Sequence, residues 1–355
     1  MTANSRMPFV PVADAAMTLP ASMYRDPAVY DRERSAVFAR EWVVFARAEQ
    51  LATPGACVAG VIAGYPLVVV VDRDGELRGF HNVCRHRAGP LVDDGEGRAT
   101  GFVCRYHGWS YDTSGRLLKA RDFDLSSTDE PVDPEAFSLF PVRVERWRNL
   151  VFVNLDTDAA DLLSDLADFF AEAEPFPIES FHFGGELAHD LDCNWKTYVD
   201  NYLEGYHIPF VHPELNREID ARRYSVVVGD RYCRHSAPTR DGAVNAGRWL
   251  FRWPNLALNL YPDAMVVERI LPTGPHSTRI AYSYFFSDPD DPANDDVVRI
   301  SNTVIEEDRA IVEAVQRNLD AGVYERGRLS PRHEAGVAQF QRLIRTALER
   351  PSGPA

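Results

Sequence analysis

Two short segments constrain this chain more than anything else in it: Cys84-Arg85-His86 and, with seventeen residues intervening, Cys104-Arg105-Tyr106-His107-Gly108-Trp109. Each offers one thiolate and one imidazole, and each follows a run that reads as a strand, residues 77–83 and 102–104. Two loops of this kind facing one another present two sulfurs and two nitrogens to one site. The surrounding sequence supports such a frame. Residues 67–71, the turn Asp72-Arg73-Asp74-Gly75, residues 109–111, the turn Asp112-Thr113-Ser114-Gly115 and residues 117–118 alternate short strands with tight turns, which predicts a small antiparallel β domain between about 55 and 155. The ligand count alone also permits a structural Cys2His2 zinc site. Zinc modules that fold around their metal are small, however, and this pair lies inside roughly a hundred residues with a β pattern of their own.

Beyond residue 159 helical and strand patterns mix, which predicts an α+β domain. Helical spacing marks 161–173, 195–206 and 297–321, and a strand meander occupies 256–260, 265–271 and 279–286. Residues 26–50 also carry helical spacing, through Tyr30, Val37, Phe38 and Trp42. The acidic stretch 156–161 reads as the boundary. The expected organisation is an N-terminal helical segment (1–40), a β domain (41–157), an α+β domain (158–350) and a frayed tail (351–355).

The second domain holds its own metal-like signature, running from Asn194 to Pro213. His207 and His212 are five apart, which on a regular helix separates them by about 140°. Pro209 is expected to break the helix after His207 and let His212 return to the same point. Glu204 and Asn201 precede His207 by three and six residues, on one face of that helix. Two histidines call for a third, anionic ligand to complete the facial triad of non-haem Fe(II), which leaves positions open for O2. Asp308 is the candidate: along Ile300, Val304, Ile311, Val312, Val315 and Leu319 it sits near the centre of an apolar stripe, whereas Glu306 points almost opposite and Glu307 falls at the edge. Its alternative is a salt-bridged core aspartate, since an unpaired carboxylate there is costly.

Cys-x-His followed by Cys-x-x-His-Gly-Trp, with Asn82-Val83 and Ala88-Gly89-Pro90-Leu91 around it, resembles the Rieske [2Fe–2S] pattern, in which two Cys hold one iron and two His the other. Neutral imidazole in place of thiolate removes negative charge and raises the potential, so such a site carries single electrons. Both constellations, in this order, resemble the α subunits of Rieske non-haem iron oxygenases. The resemblance implies a Rieske domain plus a helix-grip (START-like) domain with a large antiparallel sheet, the N-terminal segment packing on the catalytic part. It implies a cluster on Cys84, His86, Cys104 and His107, a mononuclear iron on His207, His212 and Asp308, and Asn201 near that iron. Members form head-to-tail homotrimers in which an acidic residue bridges cluster and iron, here from His107 of one protomer through the partner's Glu204 to the partner's His207. O2 is the co-substrate, and electrons come from NAD(P)H through a flavin/iron–sulfur reductase.

Ring-hydroxylating members usually place Asp at the bridge. Glu204 within Tyr-Leu-Glu-Gly-Tyr-His instead resembles the branch acting on quaternary amines, such as choline monooxygenase, carnitine oxygenase and the glycine betaine and stachydrine demethylases. A methylammonium substrate favours an aromatic cage. Tyr202, Tyr206, Trp249, Phe251, Trp253 and Tyr261 are candidate walls, although each residue type commonly serves as plain core. The competing readings are the same machinery acting on an aromatic or carboxylate substrate, and a Rieske electron carrier whose second domain only binds.

Composition fits this frame. Among 355 residues, 53 acidic against 38 basic side chains give a net charge of −15, which disfavours nucleic acid and anionic membranes as partners. Five cysteines are too few for a disulfide-stapled scaffold and point to a reducing, cytoplasmic setting.

Overall fold

The computed structural model describes residues 17–123, 132–239 and 247–350; the expected tail lies outside them. In chain order the strands of the first half are β1 (Val43–Arg47), β2 (Ala56–Ile62), β3 (Tyr65–Val71), β4 (Leu77–His81), β5 (Gly95–Arg98), β6 (Phe102–Val103), β7 (Ser110–Tyr111), β8 (Leu117–Lys119), β9 (Pro141–Trp147) and β10 (Leu150–Asn154). They form a seven-stranded antiparallel sheet, ordered β1-β10-β9-β4-β3-β2-β5, and a three-stranded sheet β6-β7-β8. The uninterrupted apolar run of β3 has a physical cause. Val68 and Val70 pack with Phe80, Trp109 and Tyr111 on one side, while Leu67, Val69 and Val71 join Val43 and Val151 on the other. With successive side chains on opposite faces, a strand covered on both has no polar positions.

Two Asp-x-x-Gly hairpin turns are built alike. The Asp72 carboxylate accepts from the N–H groups of Asp74 and Glu76, and that of Asp112 from those of Ser114 and Arg116. Gly75 and Gly115 take φ of 88° and 84°, the left-handed region that favours glycine.

The second half contributes β11 (His182–Leu191), β12 (Ser225–Val228), β13 (Tyr232–Ser236), β14 (Arg248–Arg252), β15 (Leu256–Leu260), β16 (Ala264–Gly274) and β17 (Ser277–Phe286), antiparallel in the order β11-β17-β16-β15-β14-β13-β12. The long helix Asn294–Asp320, the helix Ala335–Glu349 and the helix Trp195–Tyr202 pack on and around this sheet. The chain is therefore α+β with two large antiparallel sheets.

Residues 26–50 depart from expectation. The helix covers only Pro27–Glu33, a single wider turn follows over Arg34–Phe38, and β1 begins at Val43. Trp42 and Val44 pack among Trp147, Phe152 and Phe170, because β1 pairs with β10 and that pairing decides the conformation of the Val43-Val44-Phe45 run. The preceding segment is fastened to the second half: Leu19 N–H donates to Gln341 (2.8 Å), and the Glu33 carboxylate pairs with Lys196 Nζ (2.7 Å) and accepts from Trp195 Nε1 (2.8 Å). No helix among the described residues is long and apolar enough to cross a membrane.

Candidate redox and iron centres

The two Cys/His segments form mirror-like loops. In the first, Cys84 N–H donates to Gly89 and Ala88 N–H returns to Cys84; in the second, Cys104 N–H donates to Trp109 and Gly108 N–H returns to Cys104. Ala88 and Gly108 take φ of 55° and 77° to close them. Both sulfurs are buried, and Cys84 Sγ lies 3.3 Å from the Tyr111 hydroxyl. The rings of His86 and His107 stand 4.6 Å apart, with His86 stacked on Trp109 at 5.0 Å. Gly89 is required by close approach: a Cβ there would lie 2.8 Å from Cys104 Sγ.

The donor set fits a two-iron cluster. The Nδ1 atoms of both His86 and His107 are buried without a hydrogen-bond partner, a state that metal ligation relieves. Among the described residues, the trio whose ligand atoms converge within 4.8 Å of one another is His207, His212 and Asp308, not any three of these four. Donors around a single tetrahedral zinc lie closer than that, whereas donors shared between two irons are spread apart.

The second centre is built around a break in the chain. Asn194 caps the helix Trp195–Tyr202 by accepting from Lys196 N–H (3.0 Å). That helix ends at Tyr202, earlier than expected, so Glu204 lies past its end while Asn201 remains on its last turn. Pro209 does not break a helix here. It occupies the first turn of a new one, Ile208–Val211, with His207 at its start and His212 at its end. Proline fits there because the first N–H groups of a helix have no internal partner.

The Nε2 atoms of His207 and His212 are 3.1 Å apart, and Asp308 Oδ1 lies 3.1 Å from His212 Nε2 and 3.7 Å from His207 Nε2. On the far side of each ring a carboxylate takes the other nitrogen: Glu204 at 2.6 Å from His207 Nδ1, Glu307 at 2.8 Å from His212 Nδ1. Ionised carboxylates only accept, so each Nδ1 carries the proton and both Nε2 lone pairs face one another. That arrangement requires a cation between them, and carboxylate–histidine pairs are the usual support of a metal-bound imidazole. Asn201 Nδ2 donates to Asp308 Oδ1 at 2.7 Å. Asp308 is buried among imidazoles and an amide, which removes the lysine or arginine salt bridge that was its alternative.

A cavity of about 170 Å³ opens beside this trio. Of the expected aromatic walls, Tyr202, Trp249 and Tyr261 line it, Trp249 Nε1 donating to the Tyr261 hydroxyl (3.1 Å). Three expectations fail. Phe251 shares the face of Trp249 but lies two residues further along β14, where Phe340 covers it, and Trp253 is past the strand end between Trp195 and Phe340. Tyr206 is 55% exposed and stacks on His333, because the helix ends before it and the four-residue relation to Tyr202 is lost.

The sequence reading missed Glu307, Tyr224, Asn259 and Glu268. Tyr224 stacks parallel to Trp249, and Asn259 accepts from the Tyr202 hydroxyl (2.9 Å). Glu268 is 2% exposed and accepts from the Tyr198 hydroxyl at 2.6 Å. Burial pushes its carboxyl up to about 7, with the Tyr198 hydrogen bond acting in the opposite sense. One signal for it was visible: a lone charge inside the apolar run Met265-Val266-Val267-Glu268.

Known proteins agree with this geometry. The profile of the Rieske [2Fe–2S] domain matches residues 41–127, and that of the ring hydroxylating alpha subunit catalytic domain matches 178–244 and 234–350. The chain is 30% identical to chloroplastic choline monooxygenase of Beta vulgaris, over 96% of this chain and 79% of that protein. It is also 30% identical to the carnitine monooxygenase oxygenase subunit of Escherichia coli K12, over 93% of each. A solved quaternary ammonium Rieske monooxygenase, described for carnitine oxidation by gut microbiota and inter-subunit electron transfer, superposes with a TM-score of 0.84 at 26% identity, covering 95% of this chain and 96% of that one. Cluster-type donors on paired loops, a two-histidine, one-aspartate trio beside an aromatic cavity, and these matches together place the chain in the Rieske non-haem iron oxygenases, in the family that contains the choline and carnitine monooxygenases.

Proposed function

We propose that this protein is the terminal oxygenase that hydroxylates or oxidatively N-demethylates a small quaternary amine. The observation that carries the substrate class is the cavity lining. Tyr202, Tyr224, Trp249 and Tyr261 supply aromatic faces, Glu204, Glu268 and Asp308 supply carboxylates, and none of the described lining residues is lysine or arginine. Ring faces and carboxylates both attract a methylammonium group, whereas an aromatic acid would meet only repulsion from the carboxylates.

Cys84, His86, Cys104 and His107 would hold the [2Fe–2S] cluster, and His207, His212 and Asp308 the mononuclear iron. When bound, the cluster supplies electrons one at a time and the iron supplies the site of O2 activation. Glu204 and Glu307 hold the two imidazoles in the tautomer that offers Nε2 to the metal, and Asn201 keeps the Asp308 carboxylate turned toward them. For an N-methyl substrate, hydroxylation of the methyl C–H consumes O2, two electrons and two protons and yields water and a hemiaminal. The hemiaminal breaks down to formaldehyde and the demethylated amine.

Electrons would come from NAD(P)H through a separate flavin/iron–sulfur reductase, in a cytoplasmic setting that keeps the buried Cys57, Cys193 and Cys233 as thiols and Cys84 and Cys104 unoxidised for the cluster. Head-to-tail homotrimers fit the surface. Tyr106, Val103 and Leu118 are exposed around the cluster loops, and a groove of about 850 Å³ beside Glu204 exposes Ile311, Val315 and Val323. Burying one apolar patch on the other would set His107 of one protomer near the partner's Glu204.

The test is a panel of choline, carnitine, glycine betaine, proline betaine and aromatic acids with an NADH-dependent reductase. Formaldehyde release or substrate-dependent O2 uptake is expected with at least one methylammonium compound. Turnover confined to aromatic acids would refute the assignment.

A further inference from the structure

We propose that Glu268 is the specificity-determining anion of the cavity, the carboxylate against which the substrate's cationic nitrogen is seated. The proposal rests on the quaternary-amine reading and assigns it a residue. Glu268 projects from β16, one of the central strands of the second sheet, where it lies between Ala257 of β15 and Tyr282 of β17. Its side chain lines the cavity that also reaches Asp308, His207 and His212. It is thus a charge-bearing group set in a rigid sheet, not on a loop, within the same small space as the iron ligands.

No lysine or arginine lines this cavity among the described residues, and burial lifts the Glu268 carboxyl to about 7, so the empty cavity holds it partly protonated and a bound cation favours the ionised form. Its carboxylate accepts from a neutral phenol, Tyr198 Oη, which in turn lies 3.4 Å from Tyr282 Oη. The other carboxylates of the cavity are already committed, Glu204 to His207 and Asp308 to the two imidazoles and Asn201. Glu268 alone has no role in the iron centre. A carboxylate 2% exposed, close to the negative Asp308 and held only by phenols, is costly in the empty cavity. A methylammonium group relieves that cost, and an uncharged isostere does not. The aromatic faces of Trp249 and Tyr261 add attraction but respond weakly to where the charge sits. The fixed carboxylate therefore decides which end of the substrate approaches the iron.

The experiment measures, by calorimetry on the iron-loaded enzyme without reductase, the dissociation constants of tetramethylammonium and of uncharged tert-butanol. Wild type should prefer the cation. Glu268→Gln, which keeps the shape and can still accept from Tyr198, should weaken tetramethylammonium by about tenfold or more while leaving tert-butanol unchanged. Glu268→Asp should retain the preference. If wild type shows no preference, the quaternary-amine reading falls and this inference with it. If wild type prefers the cation and Glu268→Gln prefers it equally, only the assignment to Glu268 is overturned. Should Glu268→Gln fail to fold, a crystal structure of wild type with tetramethylammonium decides: nitrogen within about 6 Å of the Glu268 carboxylate supports the proposal, and nitrogen seated elsewhere refutes it.

Discussion

Glu307 illustrates how much of an iron site lies outside its ligands. Its carboxylate holds His212 Nδ1 at 2.8 Å, fixing both the ring's orientation and its tautomer, although its neighbour Asp308 is the one aimed at the cavity. Glu307→Ala should therefore retain the cluster absorbance and the fold but weaken iron binding by about 10–100-fold. Titrating iron into metal-stripped protein measures this, with Asp308→Ala as the variant that loses the site outright. Unchanged iron affinity in Glu307→Ala would mean that His212 is oriented by packing alone. The candidate ligands were legible because their signals are local. Cys-x-His, Cys-x-x-His-Gly-Trp and His-x4-His each lie within a few residues, and Asp308 betrays itself as a carboxylate on an apolar stripe. Glu307 and Glu268 were not legible in the same way. Each acts on a partner far away in sequence, His212 across 95 residues and Tyr198 across 70, and only the folded sheet and helix bring them together.

At the scale of elements, the N-terminal segment is held by a buried ion pair more than by its own helical propensity. Lys196 Nζ and Glu33 are both fully buried at 2.7 Å; Trp195 Nε1 donates to Glu33, and Lys196 Nζ to Asn194 Oδ1. Burial pulls the Lys196 amine down, and Glu33 offsets this. Breaking one side of such a pair leaves the other charge stranded, so Lys196→Met should cost about 3–5 kcal/mol, and Lys196→Met with Glu33→Leu should recover much of it. Urea unfolding of the two variants checks the expectation; equal midpoints for both would show that the pair is not coupled. The same region shows where pattern reading gave out. Tyr30, Val37, Phe38 and Trp42 keep helical spacing, yet pairing of β1 with β10 converts the last part of that run into a strand. The strands 256–260, 265–271 and 279–286 were legible because turn residues bracket each, whereas the helix Ala335–Glu349 went unrecognised although its buried Val337, Phe340, Ile344 and Leu348 follow helical spacing. Pro209 misled for a related reason: a proline marks the start of a helix as readily as its end, and only the break after Tyr202 distinguishes the two.

At the scale of the whole molecule, the two centres belong to different halves of one chain, and the proposed assembly makes the cluster of one protomer serve the iron of the next. This has a consequence that no single-chain property shares. A Cys84→Ser variant should lose its cluster and an Asp308→Ala variant its iron, so each homotrimer should be inactive alone. A trimer that contains both variants has one interface of its three at which a cluster-bearing protomer precedes an iron-bearing one, so turnover of the mixed trimers should return to roughly a third of wild type. Glu204→Gln introduced into the iron-bearing variant should abolish the rescue while both metals stay bound, because in the proposed assembly its carboxylate joins His207 to the neighbouring cluster. Transfer within a single chain predicts no rescue at any mixing ratio, since neither variant then possesses both a cluster and an iron. Co-expression with two affinity tags, followed by iron content and formaldehyde release on the doubly tagged fraction, separates the two routes.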